Sequence, residues 1–176
     1  GDGKDPKNKQ GRNWDGHVAI NNKIEGLKPK DLVGIPWRLA FALQADGWYL
    51  RQDIIWNKPN AMPEPVKDRC TKSYEHIFLL SKSQKYYYDC EAIADNTAEG
   101  SRNKRDVWSV NTQPYKDAHF ATFPEKLIEP CILAGSKAGD TVLDPFTGSG
   151  TTGKVSVENN RNFVGVEINP DYKTLA

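Results

Sequence analysis

Apolar residues recur along this chain with two periods, and the changes of period mark its elements. Residues 1–29 carry few of them; they are polar, rich in Gly, Asn and Lys, and read as a loop or disordered segment. From Lys30 or Asp31 onward, Leu32, Ile35, Leu39, Ala42 and Leu43 fall at helical spacing and predict a helix with one buried face. Pro36 lies in its first turns, where a missing N–H is tolerated, and Gly47 stops it. Residues 48–56 alternate and are rich in Trp, Tyr and Ile, which predicts a strand. A loop with Pro59, Pro63 and Pro65 follows, then a second strand over 74–81. The two strands are expected to pair antiparallel, with Tyr86, Tyr87 and Tyr88 extending the edge. Residues 91–118 are polar and irregular, broken by Asp106–Val110, where Trp108 is a core candidate. Pro124 opens a helix running to Ala134, with Leu127, Ile128, Cys131 and Ile132 as its apolar face.

The last part of the chain has the clearest pattern. An apolar run, Thr141-Val142-Leu143, leads into Asp144-Pro145-Phe146-Thr147-Gly148-Ser149-Gly150-Thr151-Thr152-Gly153. A helix-compatible segment runs to Asn159, and a second apolar run, Phe163–Val166, ends on Glu167. Strand, glycine turn, helix, strand and acidic residue in that order form a nucleoside-cofactor unit. The glycines let backbone approach a ligand, and the acid accepts hydrogen bonds from ribose hydroxyls. Gly148, Gly150 and Gly153 also fit the dinucleotide spacing, which would put a pyrophosphate at the helix N-terminus. Asp144 argues against that, because a carboxylate at the strand end repels a pyrophosphate. It suits a cofactor carrying an ammonium and a sulfonium, S-adenosylmethionine, which is the favoured reading over a dinucleotide. A glycine turn without a ligand would not require Asp144 and Glu167 at matching strand ends.

Composition narrows the class without naming a function. A chain of 176 residues predicts one domain with a real core. The net charge of +1 is no argument for nucleic acid, since the basic residues cluster only locally. One cluster is Lys4, Lys7, Lys9 and Arg12; a second is Lys58, Lys67, Arg69 and Lys72; a third is Arg102, Lys104 and Arg105. On residues alone each reads as solvated surface. Cys70, Cys90 and Cys131 lack C-x-x-C spacing, so neither a disulfide framework nor a metal site is predicted, and a reducing cytoplasm fits. No run is long and apolar enough to predict a membrane span.

Several blocks together carry a family resemblance. Asp144-Pro145-Phe146-x-Gly148-x-Gly150-Thr151-Thr152 resembles the cofactor loop of DNA amino-methyltransferases, which methylate cytosine N4 or adenine N6. His119–Leu127 resembles the segment that precedes that loop, and Trp56–Asn60 and Tyr74–Lys82 resemble strands of the target side. Asp106–Val110 is a further matching block. The order resembles the permuted class, in which the catalytic half is encoded first.

The resemblance implies an α/β, Rossmann-like S-adenosylmethionine-dependent methyltransferase fold, here incomplete. It implies a polar segment over 1–29 and a partial methyltransferase domain over 30–176. That domain would divide into a target-side helix and hairpin (30–90), an irregular DNA-contacting region (91–118) and a cofactor-binding half (119–176). The implied cofactor residues are Phe123, Pro124, Asp144, Pro145, Phe146, Gly148, Ser149, Gly150, Thr151, Thr152, Glu167 and Asn169. Lys58, Arg69, Lys72, Arg102 and Lys104 become candidate DNA contacts. Double-stranded DNA and a cognate restriction endonuclease are the implied partners, in a bacterial cytoplasm or encoded by a phage. His119 reads as a structural hydrogen-bonder, because amino methylation needs no histidine base.

One part of the family pattern is missing. The catalytic tetrapeptide, Ser-Pro-Pro-Tyr or Asp-Pro-Pro-Tyr, does not occur, and the chain has no Pro-Pro pair. In the permuted class it is expected before Gly1, so no catalytic residue is assigned here and the chain reads as a fragment, inactive alone. Cytosine N4 is the favoured target and adenine N6 the alternative. The strands contributed by the missing segment should lie between strand 141–144 and the hairpin. The strands present should therefore form two separate groups, about 10 Å apart at normal strand spacing.

Overall fold

The computed structural model describes residues 26–113 and 122–169. His119, the first basic cluster and the residues after Asn169 lie outside them. The chain divides into two compact units, Gly1–Ile35 and Pro36–Ala176. In the described part of the first, Lys28 and Asp31 close a turn: the Asp31 N–H donates to the Lys28 carbonyl at 3.0 Å, and the Lys28 N–H to the Asp31 carboxylate at 2.8 Å.

The first helix, α1, spans Ile35–Ala45 and so begins later than the periodicity predicts. Gly34 has φ 70°, a left-handed conformation that a right-handed helix cannot include, and Pro36 tolerates helix only in a first turn. The buried face also differs from the expected one. Ala40 is buried and Trp37 packs on Phe41 and Phe78, whereas Leu32 is 88% exposed and Ile35 and Leu39 are exposed too. α1 is apolar on more than one side, so its period alone did not say which side packs.

Strands β1 (Tyr49–Asn57) and β2 (Tyr74–Ser81) pair antiparallel, as predicted, with Ile54 opposite Ile77 and an irregularity between Leu50 and Gln52. Two short strands, β3 (Asp95–Thr97) and β4 (Gly100–Arg102), form a small hairpin inside the region read as irregular. β5 (Val107–Ser109) was not predicted either; it lies parallel to β1, with Trp108 beside Trp56, giving the order β2-β1-β5. Tyr86–Tyr88 extend no strand. They run in irregular backbone beside the end of the second helix, where the Asp89 N–H donates to the Ala134 carbonyl at 2.9 Å.

That helix, α2, spans Glu125–Gly135, with buried Pro124 as its N-cap and Pro130 inside it. Leu127 reaches the core of the three-stranded sheet, where it is buried with Ile54, Trp56 and Trp108. Burial of Ile54 and Leu127 contributes roughly 1.5–3 kcal/mol each. The Trp56 indole N–H is satisfied within this core by the Val110 carbonyl at 2.8 Å.

The chain then forms β6 (Thr141–Asp144), α3 (Thr151–Glu158) and β7 (Asn162–Gly165). β6 and β7 are parallel in direct register, Leu143 opposite Val164, as the strand–turn–helix–strand pattern predicts. Among the described residues no ladder joins this pair to the β2-β1-β5 sheet, so these two groups of strands are separate, as expected, while the β3–β4 hairpin is a third group that the sequence did not predict. α2 connects them chemically: Glu125 accepts a hydrogen bond from Lys154 of α3 at 2.6 Å, while Leu127 faces the other sheet.

Cys131, on α2, also packs against that core, and burial pushes its thiol up from 9.0 to about 11. Cys70 and Cys90 are exposed. A thiol reagent at pH 8 should therefore modify two cysteines quickly and Cys131 only on unfolding. Between pH 9 and 11 the unfolded thiol ionises while the folded one does not, so stability should fall as pH rises through that window. Three equally fast thiols would show that α2 does not hold Cys131 against the sheet.

Candidate cofactor site

Because β6 and β7 are parallel and adjacent, the chain leaves both at the same edge, and the two acidic residues are delivered together. The link between them is tight. The Val166 N–H donates to the Asp144 carbonyl at 2.9 Å, and the Thr147 N–H to the Val166 carbonyl at 3.0 Å. Gly148 and Gly150 have φ 53° and 78°, left-handed values that favour glycine, and Gly150 caps α3.

Both carboxylates turn into this loop. The Gly148 N–H donates to one oxygen of Glu167, and the Asn169 N–H to the other, each at 2.8 Å. Asp144 accepts from the Phe146 N–H at 2.9 Å and from the Thr152 hydroxyl at 2.6 Å. Thr152 is buried, so Asp144 ties the Pro-Phe turn to the first turn of α3. An ionised carboxylate offers about four acceptor sites. Two are used on each, which leaves capacity for hydroxyl or ammonium donors from a ligand. The Ser149 and Thr151 hydroxyls lie 3.3 Å apart, and Phe146, earlier in the same loop, is 87% exposed.

The third glycine of the pattern acts through packing. A Cβ on Gly153 would lie 2.7 Å from the Phe163 ring, and one on Gly165 would lie 2.9 Å from the same ring and overlap the Thr147 hydroxyl. α3 can approach β7 only because these positions lack side chains.

Phe123 comes to this region from the other side. With Ile128, Cys131, Leu143, Asp144 and Thr152 it lines a cleft of about 480 Å³. Of the residues singled out from sequence, Asp144 and Thr152 share this cleft with Phe123, Glu167 meets the loop at the Gly148 N–H outside that lining, and Pro124 is the buried N-cap of α2.

Several of the candidate DNA contacts are engaged within the protein. Lys58 pairs with Glu75 and lies 4.3 Å over the Trp56 ring. Arg69 pairs with Glu64 at 2.7 Å. Lys104 pairs with Asp95 at 3.3 Å and sits over Trp108, and its hydrogen bond holds the Asp95 carboxyl below the usual range. Lys72 lies 5.9 Å over the Tyr74 ring, and Arg102 is exposed at the end of β4. Sequence reasoning gave Asn60 no role beyond its place in the Trp56–Asn60 block. Its amide donates to the Thr112 carbonyl at 3.0 Å and accepts from the Thr112 N–H at 2.8 Å, joining the loop after β1 to the segment after β5. An asparagine between two loop prolines was the only local signal.

A family model described as DNA methylase matches residues 8–176. The Type II methyltransferase M.Cfr9I of Citrobacter freundii is 65% identical over 153 residues, which cover 86% of this chain and 51% of that protein. Among solved structures, the cytosine-N4-specific PvuII DNA methyltransferase superposes with a TM-score of 0.68 at 24% identity, over 78% of this chain and 53% of that one. M1.HpyAVI in complex with SAM superposes with a TM-score of 0.64 at 24% identity, over 83% and 70%. These two likenesses speak to the fold. The chain spans about half the length of the relatives it matches by sequence.

Proposed function

This chain belongs to the DNA methylase family and has its Rossmann-like methyltransferase fold, and on that premise we propose that it supplies the cofactor-holding part of a DNA amino-methyltransferase. The reaction moves a methyl group from S-adenosylmethionine to an exocyclic amino nitrogen of double-stranded DNA, with cytosine N4 the favoured acceptor. The observation that carries the reading is the Glu167 carboxylate, held at the carboxyl ends of two parallel strands by the Gly148 and Asn169 N–H groups.

The residues fit that cofactor by donor chemistry. Glu167 keeps acceptor capacity for two ribose hydroxyls. Asp144, fixed by Phe146 and Thr152, puts negative charge at the loop where the methionine ammonium would lie and where a pyrophosphate would be repelled. Phe123 closes the cleft from the α2 side. When bound, S-adenosylmethionine supplies an electrophilic methyl on a sulfonium sulfur.

An amino group conjugated to a base is a poor nucleophile. The base must leave the duplex and its amino hydrogens must meet acceptors. Those acceptors belong to the Pro-Pro-Tyr motif, which this chain does not contain. This chain's share is positioning: an in-line displacement depends on where the donor is held. A cognate restriction endonuclease and a bacterial cytoplasm complete the reading; among the described residues no helix is long and apolar enough to cross a membrane.

Calorimetry on a protein that includes this chain tests the proposal. S-adenosylhomocysteine should bind and NAD should not. Labelled methyl groups should then appear in DNA, and nucleoside analysis should find N4-methylcytosine rather than N6-methyladenine. Binding of NAD in place of S-adenosylhomocysteine would transfer the site to the dinucleotide reading.

A further inference from the structure

The loop from Lys58 to Ser73 is long, yet it is built rather than slack. Its ends are closed by the Lys58 N–H donating to the Ser73 carbonyl at 2.8 Å. Pro59, Pro63 and Pro65 restrict its backbone. Arg69 and Glu64 pair across it at 2.7 Å. A turn returns the Ala61 N–H to the Lys58 carbonyl at 3.1 Å, and Asn60 is clamped by both its amide atoms to the Thr112 backbone. The next residue but one, Met62, is 82% exposed.

A single exposed apolar residue is ordinary by itself. What sets Met62 apart is that a turn, two prolines and a two-bond clamp fix the backbone on either side of it. The loop also carries Lys58, Lys67, Arg69 and Lys72 against Glu64 and Asp68; Arg69 pairs with Glu64 and Lys58 with Glu75 of β2, which leaves Lys67 and Lys72 as its outward cations. A stiff basic loop with an apolar tip suits a polyanion with an apolar interior. Duplex DNA is such a partner: phosphates lie outside and base faces inside. Side chains such as methionine enter base steps as wedges, and a methionine's unbranched, polarisable chain adapts to flat faces.

We propose that Met62 enters the base stack of duplex DNA and occupies the space vacated by the target base, with the Asn60–Thr112 clamp holding it in position. The inference rests on the methyltransferase reading above. The wedge offsets the loss of stacking when the base leaves, and Lys67 and Lys72 of the same loop meet phosphates.

The test uses the complete enzyme that contains this chain, after its modified base has been mapped by sequencing methylated DNA. On duplexes with a normally paired target, Met62→Ala should lower kcat/KM about tenfold or more, because the cost of extruding the base is no longer offset. On duplexes whose target base is mispaired, much of that cost is already gone, and the loss should shrink to about twofold. Met62→Leu should recover most of the rate. Asn60→Ala should show the same pattern in weaker form, and neither change should alter S-adenosylhomocysteine affinity.

Equal losses on paired and mispaired targets would overturn the proposal, as would an unchanged rate for Met62→Ala. A lower melting temperature of the DNA-free Met62→Ala enzyme, with no preference between the substrates, would assign Met62 to packing against another part of the protein and also overturn it. Failure of the unaltered enzyme to methylate any DNA has a different signature and would remove the underlying reading instead.

Discussion

Replacing Glu167 with alanine should weaken S-adenosylmethionine binding about a hundredfold or more. Two losses combine. A hydrogen bond to a charged acceptor contributes about 1.5–3 kcal/mol, and each tenfold in affinity is about 1.4 kcal/mol. Loss of the two ribose hydroxyl contacts therefore accounts for the effect if only part of each is realised. The same change leaves the Gly148 and Asn169 N–H groups without their acceptor, so the loop loses the contact that ties it to the end of β7. Glu167→Gln separates these terms, since it keeps the shape and one acceptor oxygen but not the charge. Titration calorimetry with S-adenosylhomocysteine should rank the wild type first, glutamine second and alanine last. Gly148→Val should act in the same direction through the backbone, because valine resists φ 53° although the nearest protein atom is 3.9 Å away. Unchanged affinity in Glu167→Ala would take the ribose role from this residue.

A side chain at Gly165 should destabilise the fold itself. The Phe163 ring edge lies in a notch formed by Gly153 and Gly165, and a Cβ on either glycine meets ring atoms at less than 3.0 Å. A Cβ on Gly165 also overlaps the Thr147 hydroxyl, which donates to the Asp144 carbonyl at 3.1 Å. The ring cannot retreat from one glycine without regard to the other, so relief must come from moving α3 or the loop. Overpacking of this kind costs about 1–3 kcal/mol, which lowers Tm by roughly 2–4 °C per kcal/mol in a chain of this size. Gly165→Val should lie at the upper end, despite valine's preference for strands. Phe163→Leu in the same chain should recover part of the loss by emptying the notch. Melting curves read both variants, and a Gly165→Val protein as stable as the wild type would show that the notch is not needed.

The two sites are tested by different observables for a physical reason. Glu167 acts at the mouth of the loop, where ligand and backbone share one carboxylate. Gly165 acts beneath it, where helix and strand approach. A variant at the first should move affinity more than Tm, and one at the second should move both.

Much of the cofactor unit was legible because its signals are short-ranged. The change from an apolar run to clustered glycines, then to helical spacing and a second apolar run, lies within about thirty residues. β6, α3 and β7 follow it closely. The hairpin of β1 and β2 was legible for the same reason, through alternation over 48–56 and a second strand-like run over 74–81 on either side of a proline-rich loop. Glycines at 148 and 150 could be assigned to a turn, and Glu167 to a strand end, without knowing any distant contact.

What remained hidden depends on partners far along the chain. Val107-Trp108-Ser109 is too short to show a period, and it becomes β5 because β1 offers it backbone groups about fifty residues earlier. α1 is apolar on several sides, and only packing on Phe78 selects Trp37 over Leu39. Tyr86–Tyr88 look like a strand edge by composition, but the carbonyl of Ala134 takes the Asp89 N–H and draws the segment beside α2. By itself the sequence determined a strand–loop–helix–strand unit with two acidic ends and a separate hairpin, because propensity and spacing act between near neighbours. Only the tertiary structure decided that both carboxylates turn inward onto loop N–H and hydroxyl groups, and that Asn60 fastens a basic loop to Thr112. Those outcomes depend on which donors the fold brings within hydrogen-bond distance of each acceptor, and that distance cannot be read from residue spacing.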